Sequence, residues 1–376
     1  MHPLPTHWAA KPCVSPRGSR ADRHTDRRSL GVLIHPARVL AVLLYLSFAT
    51  VTAVGAEPKI LRVCASTTDL ASLASEVGGR RVEIFCFGSG PEDPHELELK
   101  PSFTRQLDAA DLYLQVGLGI ENAWLGRLMA TVRNESVKPG GPGNLNIGQG
   151  VTPLEGESAR GKVGSYHEEG NPHYLLDPLE GLKAASAIRD RLARLRPAWK
   201  GEFEANYERF RLRLGSLLVG EECAKQDDVL VLVATFERLK PGPELDQFLT
   251  AHKLGGWLGT MARFRGRAVV GDHDLWPYFA RRTGLTVAGY LEPDPGVPPT
   301  TKHLQALVVR MKQEKAHHIL TAPYFDQRHV GFVAEKSGAR ILPMAHQAGA
   351  RPGTSTYLEM LTLNFGQLIE AFTSAP

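Results

Sequence analysis

Ten histidines follow residue 56, and three of them stand where a strand pattern gives way to a helix pattern. His95 closes Pro91-Glu-Asp-Pro-His95, and His173 sits in Gly170-Asn-Pro-His-Tyr174 just ahead of Asp177-Pro178. His273 ends Gly271-Asp-His273. A neutral imidazole in a short, rigid loop is a good ligand for a borderline-soft divalent ion. In doubly wound sheets, ligands bind outside the carboxyl ends of the strands, and His95 and His273 fall at such ends in opposite halves of the chain. A cleft between two lobes would bring them together. His252, His303, His317, His318 and His329 lie on predicted helices or strands without a companion motif and read as structural. Spacing alone leaves the trio open between metal ligation and ordinary surface loops.

The elements that must position these residues come from periodicity. Strands are predicted at 60–65, 82–87 and 112–116, with helices at 69–77 and 102–109 between them. A Gly-, Pro- and Asn-rich loop covers 139–170. From 178 to about 223 the pattern is helical with a break at Pro197; Phe203, Tyr207, Phe210, Leu214, Leu217 and Leu218 form one apolar stripe on its second half. A second run of strands at 267–270, 286–290, 317–320 and 340–342 alternates with helices at 275–282, 302–313, 327–336 and 357–372. Alternating strands and helices imply parallel sheets wrapped by helices. The fold expected is α/β: two βα lobes with mainly parallel sheets joined by a long rigid helix. The boundaries expected are 57–178 for the first lobe, 179–226 for the linking helical segment and 227–376 for the second lobe, with a helical insertion near 237–256.

Charge narrows the function. Residues 1–56 carry seven Lys or Arg against two Asp, whereas the rest carries 37 basic and 38 acidic side chains. A near-neutral body gives no basic stripe for nucleic acid. Within 1–56, the apolar run at 39–53 follows Arg38 and precedes Val54-Gly-Ala56, the layout of a secretory signal peptide. The run falls short of the ~20 residues of a spanning helix. No Cys directly follows it, so a soluble, extracytoplasmic protein without a lipid anchor is expected. Cys64, Cys86 and Cys223 form neither a disulfide framework nor a CxxC metal site.

Three ordered segments resemble the zinc- and manganese-specific solute-binding proteins of bacterial ABC importers. They are Asp93-Pro-His-Glu-Leu-Glu-Leu-Lys-Pro101, Asn171-Pro-His-Tyr-Leu-Leu-Asp-Pro178 and Asp272-His-Asp-Leu-Trp-Pro-Tyr-Phe-Ala-Arg-Arg-Thr-Gly284. The resemblance spans about residues 60–372. It implies a metal held between the lobes by His95, His173 and His273, with a membrane permease and its ATPase as partners, no enzymatic activity, and a monomer. A histidine in the third position implies zinc as the carried ion rather than manganese, which favours more oxygen ligands. Asp272 and Asp274, flanking His273, are expected to orient its second nitrogen.

The chain departs from the family in its fourth ligand. Family members often supply an Asp after the last strand, where this chain has Leu342-Pro-Met-Ala-His-Gln-Ala-Gly349. His167, shortly before His173, is the favoured replacement; His346 and a water are the alternatives. Two other functions share the site: an adhesin or metal chaperone without a transporter, and a zinc hydrolase, for which neither HExxH nor a motif-borne general-base Glu is found.

Overall fold

The computed structural model describes residues 59–154, 169–226, 228–294 and 296–374. The predicted signal segment and His167 lie outside them. The first lobe runs β1 (Leu61–Ala65), α1 (Thr68–Gly78), β2 (Val82–Cys86), α2 (Pro101–Ala109), β3 (Leu112–Gln115), α3 (Leu125–Met129) and β4 (Asn144–Asn146). Two long helices follow, α4 (Pro178–Leu195) and α5 (Lys200–Val219), then four shorter ones: α6 (Glu221–Gln226), α7 (Val229–Arg238), α8 (Pro243–His252) and α9 (Gly256–Met261). The second lobe runs β5 (Ala268–Gly271), α10 (Pro277–Thr283), β6 (Thr286–Tyr290), α11 (Thr301–Glu314), β7 (His318–Thr321), α12 (Gln327–Ser337), β8 (Arg340–Pro343) and α13 (Tyr357–Thr373).

Both sheets are fully parallel, and they share one topology: β2-β1-β3-β4 and β6-β5-β7-β8. The expected two-lobe α/β architecture is therefore present. Most element ends lie within a residue or two of the sequence reading, but four elements escaped it: α3, β4, α7 and α9. β4 falls inside the loop expected at 139–170; its Asn-Leu-Asn sequence carries no strand signal. Pairing with β3 and the Asn144 side chain, which donates to the Val137 carbonyl at 2.8 Å, hold it there. The run Val229-Leu-Val-Leu-Val233, β-branched in composition, forms α7, which the Asp228 carboxylate caps by accepting the Leu230 amide at 2.9 Å.

The linking segment breaks at Arg196, as Pro197 requires, so α4 and α5 are separate helices packed on each other and on α1. α5 carries the bridge. Near its start Glu202 pairs with Arg81 and Asn206 donates to the Val77 carbonyl at 2.9 Å; near its end it packs on α9. Twenty residues reach about 30 Å. Of the predicted stripe, Phe203, Tyr207, Phe210, Leu214 and Leu218 are buried and Leu217 partly so. One continuous core runs from Leu61 through this helix to Leu342 and the α13 residues Phe365 and Leu368, so the lobes share an interior. Separate apolar clusters cover the outer face of each sheet.

The cysteines do not pair. Cys64 lies opposite Phe85 and Cys86 opposite Ala65, which puts the two thiols on opposite faces of the sheet. All three are free, and burial pushes Cys64 and Cys86 up to about 12.

One buried ion pair ties α4 to α10. Arg282 donates Nε and Nη2 to the two Asp177 oxygens, each at 2.8 Å, and Nη1 to Glu237 at 3.0 Å. The Asp177 and Arg282 side chains are 0% and 2% exposed. Arg281, 30% exposed, reaches Asp177 only at 3.3 Å. Removing one partner of a buried pair strands the other charge. Arg282→Ala is therefore expected to lower the unfolding free energy by about 3–5 kcal/mol, against about 1 kcal/mol or less for Arg281→Ala. Urea unfolding of the metal-free protein checks this; equal, small losses would contradict the account.

Candidate metal centre

His95 is placed by a short 3-10 turn, Pro94–Glu96, that follows β2. The Asp93 side chain caps this turn by accepting the His95 amide at 2.9 Å, and Trp124 Nε1 donates to the Pro94 carbonyl at 3.1 Å. His173 is held from the other direction. Asn171 Oδ1 accepts the His173 amide at 2.9 Å, while Asp177 caps α4 by accepting the Leu179 amide at 2.9 Å, with Pro178 at the first helical position. His273 follows the central strand β5. Asp272 beside it accepts the His273 amide at 2.7 Å, Trp276 Nε1 at 3.0 Å and the Ala322 amide. Burial pushes the Asp272 carboxyl above its ordinary value despite these donors.

Bonds between the lobes join the second and third loops. Asn171 Nδ2 donates to the Asp274 carbonyl at 2.7 Å, and the Tyr278 hydroxyl donates to the Asn171 carbonyl at 2.9 Å. The three imidazoles consequently converge. All are buried, and their ring centroids stand 5.4, 5.5 and 6.3 Å apart at steep angles. One ligand nitrogen from each lies within 4.8 Å of the others. A tetrahedral zinc with ~2.0–2.1 Å bonds brings its nitrogens to about 3.3 Å, a small adjustment for three side chains. Beside the trio a cleft of about 590 Å³ opens, lined by His95, His273, Glu92, Asp93, Glu292 and Tyr324 among others.

The carboxylate on the second nitrogen of His273 belongs to Glu292, in the loop after β6, and not to the flanking aspartates expected from sequence. The Asp272 carboxylate instead holds backbone and indole donors. Because a carboxylate accepts, Nδ1 of His273 carries the proton and Nε2 keeps the lone pair a metal needs. Burial alone would lower the His273 pKa; Glu292, with Asp272 and Asp93 nearby, more than reverses this, and the net direction is up. Sequence reasoning missed Glu292 because it lies 19 residues from His273. The available signal was its place at a strand carboxyl end in the same sheet.

Of the two histidines considered as fourth ligand, His167 lies outside the described residues. His346 is buried after β8 but is not in the cluster. Its Nε2 donates to the Glu92 carbonyl at 3.0 Å, and burial holds its pKa down at about 4, so it stays neutral.

The family profile described as zinc-uptake complex component A, periplasmic, matches residues 63–219 and 253–371. The chain belongs to this family. The high-affinity zinc uptake system protein ZnuA of Yersinia pestis is 24% identical over 266 residues, covering 66% of this chain and 70% of that protein. The manganese ABC transporter substrate-binding lipoprotein PsaA of Streptococcus pneumoniae (strain TIGR4) is 21% identical over 319 residues, covering 82% and 88%. A zinc-bound ZnuA deletion mutant shares the fold, with a TM-score of 0.61 at 22% identity over 84% of this chain and 100% of that one. The chain is thus a metal-binding solute-binding protein of the ABC-transporter type, not an enzyme. Relatives named as lipoproteins run against the expectation of a chain without a lipid anchor. The profile passes over 220–252, the stretch that holds α6 to α8.

Glu292→Gln preserves the shape of the side chain and removes its charge. In metal-free wild type, the His273 pKa is expected above ~6.5; in the variant burial dominates and it should fall below that value. A raised folded-state pKa contributes stability that is complete below the unfolded value and fades as pH rises through the folded one. Glu292→Gln should therefore destabilise the metal-free protein more at about pH 5.5 than at about pH 8. Imidazole resonances followed by NMR, with thermal melts at both pH values, test this; an unchanged His273 pKa would remove Glu292 from the account.

Proposed function

We propose that this protein captures zinc outside the cytoplasm with His95, His173 and His273 and delivers it to an ABC permease and its ATPase. The observation that carries the reading is the convergence of three buried imidazoles from three loops and two lobes. Nitrogen-rich, tetrahedral ligation suits zinc, whereas manganese sites favour oxygen. Glu292 supports the choice by raising the basicity of His273, as outer carboxylates do on metal-bound histidines. His167 supplies the fourth donor in this reading: it lies six residues before His173, and Gly170-Asn-Pro172 returns the chain tightly to that ligand. The receptor works as a monomer. Docking of the permease loosens the cleft and frees the ion.

Each of His95→Ala, His173→Ala and His273→Ala should weaken zinc binding by at least ~10–100-fold, measured by competition with a chromogenic chelator. Wild-type affinity in all three would sink the site. His167→Ala should weaken binding clearly while His346→Ala changes little, and cobalt absorption should lose its tetrahedral intensity only in the former. An unchanged cobalt spectrum in His167→Ala would transfer the fourth position to His346 or solvent. Since imidazole must be neutral to ligate, zinc affinity should fall steeply from about pH 7 to about pH 5, with more than one proton taken up per ion released. Isothermal titration in buffers of different ionisation enthalpy counts those protons, and a flat profile would argue for carboxylate ligands.

A further inference from the structure

The loop after β8 crosses the cleft and bonds to the opposite lobe. Asp69, at the start of α1, accepts the Ala348 amide at 2.8 Å, and the Thr68 hydroxyl donates to the Ala348 carbonyl at 2.6 Å. Gln347 Nε2 donates to the Gly90 carbonyl at 2.8 Å, and His346 Nε2 to the Glu92 carbonyl at 3.0 Å. Gly90, at φ +118°, makes the approach possible: a Cβ there would meet the Gly349 carbonyl carbon at 2.6 Å. None of the four bonds uses His95, His173 or His273, so none depends on an ion.

Behind this loop lies a cavity of about 30 Å³ whose lining is mixed, with Thr67, Asp69, His173, His346 and Gln347 beside six apolar residues. Two of its lining residues, Thr67 and His346, are only 5% and 6% exposed, and each has a buried side-chain atom, Oγ1 and Nδ1, without a hydrogen-bond partner among the described residues. A buried polar atom without a partner is costly, and a small polar cavity with two to four partners is where an ordered water resides. Since His346 Nε2 carries the proton it donates to Glu92, Nδ1 is an acceptor. One water can donate to that nitrogen and to the Asp69 carboxylate while accepting from the Thr67 hydroxyl. Two of those groups belong to one lobe and one to the other.

We propose that Asp69 and residues 346–348 form a clamp, independent of metal, that holds the lobes closed over the binding site and is completed by one buried water between Thr67, Asp69 and His346. The clamp goes beyond the zinc reading and stands whichever ion the site carries. It slows the loss of a bound ion to the extent that release widens the gap between these two loops.

Hydrogen–deuterium exchange on the metal-stripped protein tests it. In wild type, the amides of 345–350 and 88–93 should be protected, and Asp69→Ala should speed their exchange by about tenfold or more, the effect of roughly 1.4 kcal/mol. Asp69→Asn, which keeps an acceptor oxygen, should retain most of the protection. In the loaded protein, Asp69→Ala should raise the rate of metal loss to a chelator about tenfold with the cobalt spectrum unchanged. Failure of the metal reading would abolish the cobalt signal and leave the exchange result standing, so the two failures are distinguishable. Rapid exchange of 345–350 in wild type, or unchanged exchange in Asp69→Ala that retains its far-ultraviolet circular dichroism, overturns the clamp. Should Asp69→Ala fail to fold, Gln347→Ala decides by the same readout. A high-resolution crystal structure without ordered solvent between Thr67 and His346 overturns the bridging water.

Discussion

The Asp177–Arg282 pair fixes the relation between the two ligand loops on which the site depends. Taking a carboxylate and a guanidinium out of water costs several kcal/mol each, and the cost is recovered only while they stay together in good geometry. Here that geometry is bidentate, and Asp177 also caps α4. His173 stands four residues before the acid and His273 nine before the base. Neither loop can drift without separating a desolvated charge pair. Asn171 and Tyr278 add bonds of known length between the same loops. The trio is therefore preorganised by interactions that are not themselves ligands, and a preorganised site loses less entropy on binding.

The continuous core limits what the lobes can do. Two separate βα domains on a flexible tether would close by a wide hinge. In this chain Phe203, Phe210 and Leu214 of α5 share an interior with both sheets, and α13 returns to the first lobe, where the Ser72 hydroxyl accepts the Tyr357 amide at 2.9 Å and the Tyr357 hydroxyl donates to the Leu175 carbonyl at 2.6 Å. Opening far would expose apolar surface at about 25 cal/mol per Å². A small rocking at the cleft rim would cost less, because contacts there are polar and can be exchanged for water. Burial along the bridge, more than helix length, is what would make the link stiff.

What was legible in the sequence follows from where the determining interactions are local. The ligand loops were readable because Pro, Gly and Asp at fixed offsets shape them within a few residues, and the apolar stripe on α5 because it is a one-helix pattern. Glu292 was not readable, since its pairing with His273 depends on β5 and β6 being neighbours in the sheet. β4 was hidden for the same reason: Asn144–Asn146 has no strand propensity of its own and exists because β3 offers it an edge. α7, capped at Asp228, forms despite a β-branched composition. Long-range pairing and single capping residues are the two places where periodicity carries little information.

At position 345, where the sequence resemblance implied an Asp ligand, this chain has an alanine held fast in the last-strand loop. Ala345 is completely buried, and Asn364 holds both its amide and its carbonyl at 2.8 Å. The adjacent His346 is turned to the Glu92 carbonyl and kept neutral by burial, which suits a hydrogen-bonding role across the cleft. A loop fixed in this way serves closure better than ligation.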